Sequence, residues 1–142
     1  MSIASAAVRT SNVTINNASV ELRTTAAVKC RVLEVSLCQV TGTASSYGLG
    51  RPAAQGVTPG TTTTFQRDDS ADPGCVTTNN TTWGTSPTAP TTYHRRWNSA
   101  ATIGVGVVWT FPRGLIIPVS ASLVVFNITA TVALDVNMAI DE

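Results

Sequence analysis

The chain has 142 residues and a formal net charge of +1, with nine Lys and Arg against eight Asp and Glu. This length fits one domain, and the balanced charge excludes a nucleic-acid binder that depends on a dense basic surface. Only 12% of the residues are charged, about half the usual share, while Thr, Ser and Val are abundant. Many β-branched residues and few helix formers predict an all-β fold in a single domain, residues 1–142.

The clearest strand pattern in the first third covers residues 28–40. Its apolar positions alternate and then change face at Val32 and Leu33. Such a change of phase is typical of a β-bulge or of a strand that bends from one sheet to another. Residues 112–114, Pro-Arg-Gly, predict a turn. The other segments with strand patterns are residues 12–15, 20–22, 61–67, 75–78, 92–97, 104–111, 115–117, 122–129 and 131–140.

Residues 41–90 hold most of the glycines and prolines and predict long loops. A compact domain rarely tolerates a structureless loop of more than about 15 residues, so we expect packing to order these loops. Short strands joined by long crossing loops favour a jelly-roll-like β-sandwich over a meander. The low charge density favours a surface that neighbouring subunits cover in part, and solubility supplied by Thr and Ser hydroxyls is the alternative.

The sequence contains few residues suited to catalysis. His94 is the single histidine, and its neighbours Arg95 and Arg96 disfavour a charged imidazole. The three cysteines show no C-x-x-C or Cys/His spacing, so free thiols are expected. We therefore predict no catalytic residue, no cofactor and no metal site, and we do not expect an enzyme. The apolar runs are far shorter than the roughly 20 residues of a membrane span, so no membrane partner is predicted.

Three acids, Asp68, Asp69 and Asp72, lie within one turn. A flexible loop with several carboxylates offers the oxygen ligands that a hard cation such as Ca²⁺ prefers. The turn lacks the spacing of the known calcium loop and its bidentate Glu. A solvated turn is therefore favoured, and a cation site is the alternative.

Arg outnumbers Lys eight to one, and guanidinium groups bind carboxylates and backbone carbonyls at protein interfaces. Four arginines lie beside Pro, Gly or aromatic residues, which favours protein contact; a plain codon preference for Arg is the alternative. The glycine-rich stretch 45–52 lacks the helix start and Lys of a phosphate loop, so we expect a tight turn whose large side chains become buried. The predicted protein-interface residues are Tyr47, Leu49, Arg51, Arg95, Arg96, Trp97 and Arg113.

Three stretches resemble the small jelly-roll decoration, or cement, proteins of tailed-bacteriophage capsids. They are Ser-Ser-Tyr-Gly-Leu-Gly-Arg-Pro at 45–52, Trp-Thr-Phe-Pro-Arg-Gly-Leu-Ile-Ile-Pro at 109–118 and the closing strands through residue 142. The resemblance implies a virion structural protein, a homotrimer on the capsid exterior that bridges major capsid protein subunits and stabilises the shell. It also implies assembly in the host cytoplasm, with which the missing signal-peptide pattern agrees. The apolar residues 115–119 and 123–126 are then expected to face the threefold axis.

A more distant resemblance leaves a second function open. The chain is also similar to the trimeric jelly-roll heads of tumour-necrosis-factor-like domains and of phage receptor-binding tips. This similarity implies a receptor- or glycan-binding jelly roll of a phage tail or a lectin-like protein. Such a site needs aromatic rings beside polar groups, and the candidates are Trp83, Tyr93 and Trp97.

Overall fold

A computed structural model describes residues 2–142 as an all-β sandwich. These residues contain 13 strands, and no helix among them is long and apolar enough to cross a membrane. The strands form a five-stranded sheet, a six-stranded sheet and a two-stranded ribbon. In chain order they are β1 (Ile3–Arg9), β2 (Asn17–Arg23), β3 (Cys30–Gln39), β4 (Ser46–Gly50), β5 (Val57–Pro59), β6 (Thr62–Thr64), β7 (Gln66–Arg67), β8 (Thr78–Asn80), β9 (Trp83–Thr85), β10 (Arg95–Asn98), β11 (Gly106–Ile117), β12 (Ser122–Asn127) and β13 (Leu134–Asp141).

Eight of these strands have the connectivity of a jelly roll. The five-stranded sheet has the order β11-β3-β13-β1-β7, and the six-stranded sheet has the order β10-β4-β12-β2-β8-β6. From β1 to β4, and again from β10 to β13, consecutive strands alternate between the two sheets. The strand pairs are antiparallel. The predicted jelly-roll-like sandwich is therefore confirmed.

The loop-rich middle of the sequence is an insertion between β4 and β10. It contains five short strands, β5 to β9. Of these, β7 extends the edge of the five-stranded sheet, β8 and β6 extend the six-stranded sheet, and β5 pairs with β9 as the ribbon. The acidic turn that follows β7 consequently lies at the edge of the five-stranded sheet that is furthest from β11.

The change of phase at Val32 and Leu33 is a bulge in β3. Val32 pairs with Ile140 and Glu34 pairs with Ala139, so Leu33 has no partner in β13. Because β3 remains in one sheet, the bulge is confirmed and the bend between sheets is not found. Beyond the bulge the buried positions of β3 change phase, as the sequence pattern indicated.

The core lies between the two sheets. Leu22, Leu49 and Leu123 of the six-stranded sheet belong to the same buried cluster as Val35 and Ile140 of the five-stranded sheet, and all five are 0% exposed. Burying a side chain of this size contributes roughly 1.5–3 kcal/mol. The apolar core is therefore complete within one chain.

The outer side of the six-stranded sheet is also covered. Val124 and Phe126 of β12 are buried there, where Trp83 and Tyr93 of the insertion pack against them. Since Leu123 and Val125 belong to the core cluster, β12 is buried on both faces. Residues 123–126 are thus interior, which corrects the expectation that they face a threefold axis.

A buried carboxylate anchors this outer layer. Glu21 in β2 is 0% exposed and accepts hydrogen bonds from the Trp83 indole N–H at 2.9 Å and the Gly56 N–H at 3.3 Å. Arg23 Nη2 lies 3.3 Å from Glu21 Oε1 and donates to the Gly56 carbonyl at 2.5 Å. Charge-assisted hydrogen bonds of this kind are stronger than neutral ones, so polar contacts fix the insertion to the sheet.

Several predicted strands are wrong, divided or displaced, and four strands, β1, β4, β5 and β9, were missed. The predicted strand 61–67 is divided into β6 and β7, and the one predicted at 92–97 begins only at Arg95. Residues 12–15 form no strand, and Val13 makes one isolated bridge with Val132. The strand predicted at 75–78 begins only at Thr78, as β8. The sequence pattern did not indicate β1, because alanine occupies most of its inward positions and the alternation is weak.

Residues 112–114 lie inside β11 and do not form a turn between two strands. Both flanks of this stretch pair with β3, and the register shifts between Thr110 and Leu115. Gly114 takes a φ of 67°, a conformation that favours glycine. The stretch is therefore an irregularity at which one long edge strand bulges and then continues.

Candidate functional site

Tyr47 and Leu49 lie inside the sandwich and not at its surface. Both are 0% exposed in β4, which lies between β10 and β12 and directs these side chains into the core. A folded chain cannot offer them to a partner, which corrects their prediction as interface residues. A Cβ on Gly48 would lie 2.5 Å from Tyr93 Cδ1, so Gly48 permits the close approach of that ring and does not form a turn.

Three of the four predicted interface arginines converge on the second half of β11. Arg51 Nη2 donates to the Ile116 carbonyl at 2.8 Å. The Arg95 guanidinium lies 5.1 Å from the centre of the Phe111 ring, a cation–π distance. Arg95 and Arg113 line one surface cavity of about 370 Å³, together with Phe111, Pro112 and Gly114. The edges of both sheets, β10 and β11, thus meet at a surface with apolar rings and cations.

Two further cations, which the sequence analysis did not select, lie at the same place. Arg31 in β3 is opposite Ile116 of β11, and Lys29 and Arg31 border a small cavity with Ile116 and Asp141. Only the register between β3 and β11 brings them there, so no local sequence pattern indicates it. We call the resulting surface the cationic edge, defined by Lys29, Arg31, Arg51, Arg95 and Arg113.

Most cations of the chain have no carboxylate partner. Within residues 2–142, three of the nine Lys and Arg form ion pairs, namely Arg9, Arg23 and Arg67. The remaining six are the cationic edge and Arg96, whose guanidinium lies 5.7 Å from the centre of the Tyr93 ring. Like charges gathered on one surface repel each other, and a partner with negative charge relieves this repulsion.

Exposed aliphatic side chains accompany the cationic edge. Ile116 and Val119 are each 48% exposed, whereas Ile117 between them is fully buried. The apolar run 115–119 therefore contributes alternately to the core and to the surface. An apolar centre beside arginines is the usual composition of a protein–protein contact.

The acidic turn, defined here as Asp68, Asp69 and Asp72, lies at the opposite edge. Asp69 accepts a hydrogen bond from the Ala71 N–H at 2.9 Å, and Asp72 accepts one from the Ser2 hydroxyl. Among residues 2–142 no three His, Cys, Asp or Glu side chains are grouped to hold a metal ion. The turn does carry exposed charge, since Asp68 and Asp69 are both exposed.

His94 lies between the cationic edge and the insertion. It lines a cavity of about 370 Å³ with Arg51, Tyr93, Ala53 and residues 90–92, and none of these residues is a carboxylate. Burial lowers the pKa of His94 most, and the charges of Arg51 and Arg95 lower it further. A neutral imidazole at pH 7 follows, without the orienting carboxylate that a general base of the triad type uses.

The three aromatic residues that a glycan site would need are turned towards the interior. Trp83 donates its indole N–H to Glu21, and the Tyr93 ring meets Phe126 edge to face at 6.1 Å. Trp97 stacks on Tyr47, with 5.3 Å between the ring centres. Trp83 and Tyr93 belong to the outer cluster and Trp97 to the main core, so they form no common exposed platform.

The three cysteines are free thiols, of which Cys30 is buried in the core and Cys75 packs against it. Burial raises the pKa of Cys30 to about 12 and that of Cys75 to about 11. Because the thiolate is the nucleophilic form, both side chains are poor nucleophiles at neutral pH. They act in packing, as small apolar side chains of the core do.

Comparisons with protein-family models, with curated proteins and with solved structures found no match for this chain.

Proposed function

We propose that this protein is a virion structural protein, a decoration protein that binds the outside of a tailed-phage capsid as a homotrimer and stabilises the shell. In this proposal the chain is not an enzyme, and its partners are the major capsid protein and other copies of itself. It assembles with the capsid in the host cytoplasm. The observation that carries the proposal is the cationic edge, whose unpaired cations and exposed aliphatic side chain match the composition of protein–protein contacts.

Three features of the chain support a contact function. The jelly roll exposes two edge strands, β10 and β11, whose free backbone groups are a liability unless a partner or charge protects them. Arginines and an aromatic ring at this edge match the composition of protein interfaces. The short sequence stretches 45–52 and 109–118 resemble those of decoration proteins, and both contribute residues to this edge.

The mechanism that follows is thermodynamic linkage. A protein that binds only the expanded shell stabilises that shell by its own binding free energy, about 2.7 kcal/mol per site at a free concentration of 100 Kd. No bond is made or broken. A well-formed β-sandwich whose core is complete within one chain is suited to this role, because it keeps its shape on either side of the binding step.

The test uses purified expanded capsids of the phage that encodes the chain. The wild-type protein should sediment with the capsids and raise their thermal disruption temperature in proportion to occupancy. Heat-unfolded protein at the same concentration is the control for nonspecific adsorption. Capsids that bind none of the protein would remove the proposal, and binding to host cells or glycans in the same series would replace it with the receptor-binding alternative.

A further inference from the structure

The cationic edge and the acidic turn lie at opposite edges of the five-stranded sheet but at the same level along its strands. Ile116 of β11 is opposite Arg31, and Arg31 is opposite Asp141 of β13. Asp141 is in turn opposite Ile3 of β1, whose carbonyl accepts the Asp68 N–H at 3.0 Å. Four strand spacings therefore separate the two surfaces, about 19 Å at roughly 4.8 Å for each spacing.

This separation prevents the two surfaces from neutralising each other within one chain. The Debye length at physiological ionic strength is about 8 Å, so exposed charges that lie about 19 Å apart are largely screened. Asp141 borders the small cavity beside Lys29 and Arg31, but within residues 2–142 it forms no ion pair with either of them. Five cations on one surface and three acids on the other thus remain available to an outside partner.

The two surfaces also match in their apolar content. Ile116 beside the cationic edge and Val119, two residues after β11 ends, are each 48% exposed. Ile3, whose carbonyl accepts the Asp68 N–H, is 47% exposed, and Val76, four residues after Asp72, is 45% exposed. These four are half of the eight large hydrophobic residues that residues 2–142 expose. Apart from Asp141 at the cationic edge and Arg67 beside the acidic turn, which is paired with Glu142, each surface combines charges of one sign with exposed aliphatic side chains that a contact would bury.

We infer that the cationic edge of one copy binds the acidic turn of a second copy. The inference deepens the proposed function, on which it rests for its biological setting, by naming the surfaces through which the copies meet. Because the two surfaces differ, the contact is heterologous, and repetition gives a closed ring or an open filament. A ring of three is the closure that the proposed homotrimer requires.

A second copy fits the cationic edge better than a nucleic acid does. The chain itself carries the complementary acidic surface, and its net charge of +1 gives no general attraction to a polyanion. The exposed aliphatic residues beside both surfaces gain nothing from a phosphate backbone. They gain burial from each other in a contact between copies.

The experiment reverses the charges on each surface separately and then together. Light scattering should show a multi-chain wild-type species, expected at three times the 14.8 kDa chain mass. Arg95→Asp with Arg113→Asp should give single chains, and so should Asp68→Arg with Asp69→Arg. The variant that carries all four changes should recover the wild-type mass, because it restores complementarity with the signs exchanged.

Arg9→Asp combined with Asp135→Arg is the matched control, since this ion pair lies outside both surfaces and the Arg9 side chain is 67% exposed. It should keep the wild-type mass, and circular dichroism should show that every variant is folded. A wild-type monomer, a mass that both reversals leave unchanged, or a four-fold variant that stays monomeric would overturn the inference.

Capsid binding, measured in parallel, separates this inference from the proposed function. If the wild-type protein binds capsids and the charge-reversal variants have the same mass in solution as the wild type, the function is supported and the inference is contradicted. Protein that assembles and responds to the reversals as expected, yet binds no capsid, supports the inference and contradicts the function. Nucleic acid that binds the wild-type chain at physiological salt and is lost with the Arg95 and Arg113 changes would also overturn the inference.

Discussion

The cations of this chain fall into two sets with opposite surroundings. Arg9, Arg23 and Arg67 approach carboxylates of the same chain at 2.7, 3.3 and 3.4 Å, whereas the cations of the cationic edge form no ion pair within residues 2–142. The paired set holds parts of one chain together. The charges of the first set stabilise the fold, and we propose that those of the second set bind another molecule.

The three ion pairs of the paired set differ in how deeply their carboxylates are buried. The Glu21 side chain is 0% exposed and the Glu142 side chain 5%, whereas Asp135 is 35% exposed opposite Arg9. Removing one partner of a buried pair leaves unsatisfied groups in a medium of low dielectric, while water compensates at the surface. Substitutions in the paired set should therefore lower stability in the order of burial, and those in the cationic edge should not.

The largest effect is expected for Glu21→Ala. The change leaves the Trp83 indole N–H and the Gly56 N–H without their acceptor and removes the carboxylate beside the Arg23 guanidinium, which should cost about 3–5 kcal/mol of unfolding free energy. Urea unfolding followed by tryptophan fluorescence measures it. Glu34→Ala, at a half-exposed position of β3, is the control and should change stability by less than about 0.5 kcal/mol. A Glu21 variant as stable as this control would contradict the assignment.

The next effect is expected for Glu142→Gln, and it depends on pH. Burial raises the pKa of Glu142, but hydrogen bonds from Thr77 and Val76, whose N–H groups donate at 2.9 Å, outweigh burial and lower the pKa below 4.5. A carboxyl group whose pKa is lower in the folded state stabilises the fold at pH values above its pKa in the unfolded state, here 4.5. That stabilisation is lost as the pH falls through the pKa of the folded state. The substitution should cost about 2 kcal/mol at pH 7.

Unfolding curves measured from pH 7 to pH 3 test this prediction. The wild type should lose more stability below pH 4.5 than the Gln variant does, so the two curves should converge in acid. Parallel curves over the whole range would show that the carboxylate of Glu142 makes no stabilising contact in its charged form.

A smaller effect is expected for Gly114→Ala. Gly114 lines the same cavity as Arg95 and Arg113, but its substitution should lower stability through the backbone conformation. Gly114 has a φ of 67°, and an added Cβ would overlap the Arg31 side chain. The left-handed conformation should cost roughly 1–2 kcal/mol for alanine. Gly74→Ala, where an added Cβ meets nothing within 4 Å, is the matched control. Equal melting temperatures for both variants would contradict the role given to Gly114.

The smallest effect on stability is expected for Arg95→Ser with Arg113→Ser. These side chains line an open surface cavity, so the unfolding free energy should stay within about 0.5 kcal/mol of the wild type. The same variant should lose the multi-chain species in light scattering. An unfolding free energy much lower than that of the wild type would show that Arg95 and Arg113 stabilise the fold as the paired set does. The distinction between the paired set and the cationic edge would then be wrong.

Local patterns in the sequence were sufficient for the fold class and for some details. The β-branched composition predicted the all-β class, and the short strands with long crossing loops predicted the sandwich. The change of phase at Val32 and Leu33 predicted a bulge or a bend between sheets, of which the bulge is found. The pattern failed at β1 and at residues 112–114, because alanine gives weak alternation and because Pro-Arg-Gly is compatible with a bulge as well as a turn. In both cases pairing with distant strands decided the outcome.

The candidate surface was predictable only in part for the same reason. Arg51, Arg95 and Arg113 were selected from their neighbours in the sequence, but Lys29 and Arg31 join them only through the register of β3 with β11. The glycines around Tyr47 and Leu49 indicated a turn, whereas they make room for packing of the insertion. A strand that alternates glycine with large residues has a buried face, and that signal was available in residues 46–50.

The most direct test of the account is the reactivity of individual arginines towards a dicarbonyl reagent, mapped by mass spectrometry. The protein is labelled once at a concentration at which it is assembled and once after dilution to single chains. If the cationic edge contacts a second copy, Arg95 and Arg113 should react more slowly with the reagent in the assembled sample, while Arg9 should react equally in both samples. Equal labelling of Arg95 and Arg113 in the two samples would contradict the claim that the unpaired cations serve contact with another copy.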